Sequence, residues 1–138
     1  MQGYCEFISD DVVYSGIALA GGGARATFGS CGAYSAGLMA LSVKFCPRSA
    51  RISIEPADKE IAELEGAKTR FYQFRDWFTQ EFGGVNCSDV LYKLFGGRYI
   101  QADDESRKAL KKLQEQLGFN CQVVTAKTVV KVAEMVGL

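Results

Sequence analysis

The chain contains no histidine. Without an imidazole there is no Ser-His or Cys-His catalytic pair, no mixed cysteine–histidine zinc site and no Cys-x-x-Cys-His haem attachment motif. Any metal would have to be held by thiolates, carboxylates or backbone groups. Net charge is also missing, because sixteen Lys and Arg balance sixteen Asp and Glu. No long-range field steers such a chain to nucleic acid or to an anionic membrane. The basic run Arg107-Lys108 and Lys111-Lys112 reads as a solvated helix face. No apolar run approaches the roughly twenty residues of a membrane span. The opening Met1-Gln2-Gly3-Tyr4-Cys5-Glu6 has no basic stretch followed by an apolar one. A signal peptide is therefore not expected, and the cytoplasm is the expected location.

Other motifs are missing as well. There is no Cys-x-x-Cys, which excludes a ferredoxin-like run and a thioredoxin motif. The glycine run Gly21-Gly22-Gly23 is followed by Ala24-Arg25 and is similar to a stretch of patatin-like lipases. That chemistry needs a Gly-x-Ser-x-Gly nucleophile elbow, and the chain has none. Nor is there a Gly-Lys-Ser/Thr to make a phosphate-binding P-loop. What remains is a tight loop, or close backbone packing around a cofactor.

Cysteine is present in quantity, as Cys5, Cys31, Cys46, Cys87 and Cys121. Five thiols are many for a cytosolic chain of 138 residues. Three of them directly follow a capping-type residue at an expected helix start: Ser30 before Cys31, Asn86 before Cys87, Asn120 before Cys121. A thiol in the first helical turn lies in the positive end of the helix dipole, which favours the thiolate. We therefore expect these three thiols to converge on one redox or metal site. The plain alternative is that each is a small buried hydrophobe. Cys46 precedes Pro47 at a helix C-terminus, where a thiolate is disfavoured, and it reads as structural.

The periodicity predicts helices throughout. Residues 9 to 20 read as a helix opened by Ser9, Asp10 and Asp11, with a buried strand as the competing reading. Residues 31 to 46 form an apolar helix with a face of small residues, Gly32, Ala33, Ala36, Gly37 and Ala40. A helix apolar all round belongs in the centre of a bundle. Its small face suits a second subunit as readily as a neighbouring helix, which leaves a homodimer open. After a linker over 47 to 55, Pro56 opens the longest helix, to residue 82. Its stripe is Ile61, Leu64, Phe71, Phe74, Phe78 and Phe82, which reads as core, and Gly83-Gly84 stops it. A short helix follows over 86 to 95, then a charged amphipathic one over 103 to 117 with Gly118 as its C-cap. In the last segment valines suggest a strand, but Ala126, Lys127, Lys131, Ala133, Glu134 and Met135 tilt it to a helix. The expected fold is all-α, a single domain of five to six helices around a buried small-residue helix.

Cys31-Gly32-Ala33, the segment Phe82-Gly83-Gly84-Val85-Asn86-Cys87 after a long helix, the late Cys121 and the early Gly3-Tyr4-Cys5 carry a resemblance. The chain resembles the C_GCAxxG_C_C type of small redox-active bacterial and archaeal proteins, with widely spaced cysteines and a Cys-Gly-Ala-x-x-Gly motif. The similarity covers nearly the whole length. Ala36 stands where the motif has its last glycine, with Gly37 one place later, and Cys5 lies closer to Cys31 than the pattern suggests. The resemblance implies a redox role, with an iron–sulfur cluster as one form of it.

The resulting expectation has Cys31, Cys87 and Cys121 as the reactive thiols, working as an electron or thiol relay or as a component of an oxidoreductase. With Cys5 as fourth ligand they would match the all-cysteine ligation of an iron–sulfur cluster or of zinc. Gly32 would let a cofactor approach, and Arg25 would stabilise its charge or simply sit on a surface loop. The partner would be a redox protein or a small thiol. The rival expectation is a non-catalytic helical binding domain, or a structural zinc scaffold, with its cysteines buried in the core.

Overall fold

A computed structural model describes residues 8–47 and 58–138. Cys5, Pro56 and most of the linker lie outside the described residues. Within them the fold is all-α, and the only strand-like feature is one isolated bridge. Six helices follow in order: α1 Asp10–Gly16, α2 Gly32–Phe45, α3 Asp58–Phe82, α4 Cys87–Phe95, α5 Asp104–Leu117 and α6 Gln122–Val136.

Ser9, in extended backbone, precedes α1, and Asp10 and Asp11 fill its first turn. The helix tightens into a 3₁₀ turn over Ile17–Leu19, so the strand reading of this segment does not hold. No residue of α1 or of that turn is buried. The ends of the later helices are set by local chemistry. The Asp103 carboxylate accepts the Ser106 N–H at 2.8 Å and caps α5 one residue later than the sequence suggests. Gly96, Gly118 and Gly137 close α4, α5 and α6 in the left-handed region, which glycine enters without steric cost. The valine-rich last segment is helical despite its β-branched residues, because burial of Val124 and Val132 outweighs a weak propensity.

The core forms where α2 packs against α3 and α6. Gly37 is the crossing point of α2 and α3, where a Cβ would lie 2.4 Å from Cζ of Phe74. That glycine faces Phe74, which stacks on Tyr34 at 5.6 Å between centroids, and Phe78 and Phe82 follow at 4.7 Å. The aromatic stripe of α3 is buried only from Ala67 onward, whereas Ile61 and Leu64 are exposed. The reason is length. At 1.5 Å per residue α2 spans about 21 Å and α3 about 37 Å, so one end of α3 outruns its partner. A smaller cluster of Cys87, Leu91, Phe95 and Leu110 joins α4 to α5.

Candidate functional site

The chain between the 3₁₀ turn and α2 coils left-handed. Gly21, Gly22 and Gly23 have positive φ, and so do Ala24, Arg25 and Thr27. A β-branched residue at φ 68° is a steric outlier, and Thr27 is also buried. Three glycines in succession start the reversed coil, and the Thr27 N–H donates to the Gly21 carbonyl at 2.8 Å to close it. Gly29 then crosses Gly22 so tightly that a Cβ would sit 2.3 Å from the Gly22 oxygen. The loop is thus a fixed backbone frame rather than a phosphate cradle.

This frame aligns two cysteines. Ser30 and Asn86 form an antiparallel bridge. The Cys31 N–H donates to the Val85 carbonyl at 2.8 Å, and the Cys87 N–H donates to the Gly29 carbonyl at 2.9 Å. The bridge draws Ser30 out of the helix, so Cys31, not Ser30, occupies the N-cap position of α2. Cys87 is the first residue of α4, as the sequence suggests, but the Asn86 side chain makes no capping hydrogen bond. Cys121 occupies the N-cap position of α6, and the Asn120 carboxamide oxygen accepts the Gln122 N–H at 2.8 Å. Phe119 stacks on Phe95 at 5.5 Å and ties this turn to α4.

Cys31, Cys87 and Cys121 all line one cleft of about 650 Å³. All three are free thiols, Cys31 and Cys87 buried and Cys121 half-buried. Gly32 lines the cleft too, and a Cβ there would lie 3.0 Å from Ala20 Cα, so its absence lets the start of α2 pack closely on Ala20. Arg25 is exposed and does not line it. Cys46 lies away from it at the C-terminal end of α2.

Side chains that sequence reasoning overlooks complete the cleft. The Gln101 carboxamide donates from Nε2 to Sγ of Cys87 at 3.2 Å. Gln101 is itself anchored, because its backbone N–H donates to Oγ1 of Thr27 at 2.8 Å and its carbonyl accepts from Arg107 Nη1 at 3.1 Å. The strained threonine therefore holds the residue that touches the thiol. Arg107 and Lys111 stand exposed on the rim, each with a carboxylate of its own, Asp104 and Glu115. No local pattern marks Gln101, which lies in a loop between two glycines and a cap. Arg107 and Lys111 looked like solvated residues because a helix face open to solvent and one open to a cleft carry the same residues.

The electrostatics reverse the expectation from the helix dipoles. Burial pushes the Cys87 thiol from 9.0 up to about 12, and the neighbouring thiols Cys31 and Cys121 add to the rise, with the Gln101 hydrogen bond acting against it. Burial also raises Cys121, again with Cys31 contributing. For these two sulfurs, loss of hydration disfavours the charged form. Among the described residues, no three His, Cys, Asp or Glu side chains are grouped closely enough to hold a metal ion. The described thiols as placed therefore do not fit an iron–sulfur or zinc site. The expected fourth ligand, Cys5, lies outside the described residues.

The chain matches no curated protein and no solved structure. A family model described as "Putative redox-active protein (C_GCAxxG_C_C)" matches residues 3–135, and the chain accordingly belongs to that family.

Proposed function

We propose that the protein is a thiol–disulfide redox protein whose working pair is drawn from Cys31, Cys87 and Cys121. The observation that carries this reading is their meeting in one cleft from three distant stretches of chain. The oxidant is a disulfide, of a small thiol or of a partner protein. One cleft thiol gives up its proton, and its sulfur attacks a sulfur of that disulfide. A mixed disulfide forms and one partner thiolate leaves and is protonated. A second cleft thiol then loses its proton and displaces the remaining partner sulfur. The protein ends with one intramolecular disulfide, and the partner with two thiols. Cys121, the least buried of the three, suits the encounter with the partner.

Incubation in glutathione disulfide followed by peptide mapping tests this. A single disulfide joining two of the three cleft cysteines, reversed by dithiothreitol, is expected, with Cys46 left out of it. Thiols that stay unpaired when folded would leave the non-catalytic helical domain as the better description. A cluster-bound form would need Cys5 to join the three thiols and would supply one-electron chemistry. Its signature is a broad visible band in anaerobically purified protein, bleached by Cys31→Ala.

A further inference from the structure

We propose that a second cavity binds a small planar aromatic compound carrying a phosphate or carboxylate. It measures about 640 Å³ and lies between Phe28, the first turns of α4 and residues 98–100. That volume falls within the range of small-molecule sites. Its walls carry the rings of Phe28, Tyr92 and Tyr99. Phe28 and Tyr92 remain 67% and 61% exposed, a high cost for aromatic rings with no apolar cover. A flat ring seated against them would remove that surface from water.

Charge selects the ligand further. Lys93 and Arg98 both line the cavity, and neither enters an ion pair or hydrogen bond among the described residues. On α5, by contrast, Arg107, Lys108 and Lys111 each have a helix-neighbour carboxylate. The single carboxylate in the lining, Asp89, takes a hydrogen bond from the Ser88 hydroxyl at 3.4 Å. Two cations against one carboxylate leave the cavity positive in a chain with no net charge. Arginine offers a planar fork for phosphate or carboxylate oxygens, and lysine a point charge. The cavity is distinct from the cysteine cleft. Thr27 lines this one and Gln101 the other, and the hydrogen bond between them forms part of the dividing wall.

Flavin mononucleotide and 1-naphthyl phosphate are suitable anionic probes, with riboflavin as the uncharged control. Flavin fluorescence quenching and calorimetry on the full chain should give Kd below about 1 mM for both anions. Riboflavin should bind at least about tenfold more weakly than flavin mononucleotide, the factor that 1.4 kcal/mol supplies. The double variant Lys93→Gln/Arg98→Gln should lose about that factor for the anions and leave riboflavin unchanged. Both side chains are exposed and unpartnered, so their loss does not threaten folding. Tyr92→Ala should weaken all three probes. Alkylation of the cleft cysteines should leave binding unchanged, which separates this proposal from the thiol chemistry. Failure of both anions to bind, equal affinity for riboflavin, or indifference to the double variant would each overturn it.

Discussion

Cys87 shows how a single residue's surroundings set its chemistry. It is 6% exposed, and its thiolate would share the cleft with two other sulfurs. Ultraviolet titration of the folded protein should therefore show one thiol that ionises only near pH 12, and iodoacetamide should modify Cys46 before Cys87 in the neutral range. Gln101→Leu removes the hydrogen bond that favours the Cys87 thiolate. It should raise that titration further and slow alkylation at alkaline pH. An unchanged profile would mean the 3.2 Å contact has no effect on the sulfur. Of these features, the cysteines themselves were legible in the sequence. Gln101 was not, because its role depends on a threonine 74 positions away.

At the scale of the element, the decisive contact is the crossing of α2 and α3. Gly37→Ala would force a methyl group into the Phe74 ring, which Tyr34, Trp77 and Phe78 hold in place. Overpacking of this kind costs about 1–3 kcal/mol, and chemical denaturation should show that loss with the helical spectrum retained. Thr128, buried on α6, has a hydroxyl without a hydrogen-bond partner among the described residues. Thr128→Val keeps the shape and removes the unmet donor, so it should stabilise the protein by about 1 kcal/mol. A destabilised variant would point to a hydrogen-bonding water at that hydroxyl. The helix ends at Gly83 and Gly118 were readable in the sequence, because capping acts within one turn. The burial of Ile61 and Leu64 was misread, because periodicity states which face is apolar and not whether a partner helix reaches it.

For the whole molecule, the raised thiol links ionisation to stability. A folded pKa above the unfolded one means that protonation favours the folded state. The contribution of Cys87 is fully present below the unfolded value of 9.0 and is lost as pH climbs toward about 12. The difference in unfolding free energy between the wild type and Cys87→Ala should accordingly shift against the wild type across that window. A flat difference would contradict the burial of the charge. The same fact governs the proposed couple. If both protons stay on the reduced thiols, the midpoint potential should fall by about 59 mV per pH unit through pH 9. A slope that flattens near pH 7 would reveal an acidic thiol in the pair and return the helix dipoles to the leading role.

The amino-acid order alone determined that the chain is helical, roughly where each helix stops, and which cysteines share a helix-start setting, because these depend on neighbours within a turn or two. It also determined the family, through the spacing of its cysteines. Only the tertiary structure decided that Cys31, Cys87 and Cys121 line the same cleft, that Thr27 and Gln101 hold one of them, and that the Cys87 and Cys121 thiols are pushed up instead of down. The dipole at a helix tip is a local property, whereas dehydration of a sulfur is the summed effect of every element packed around it.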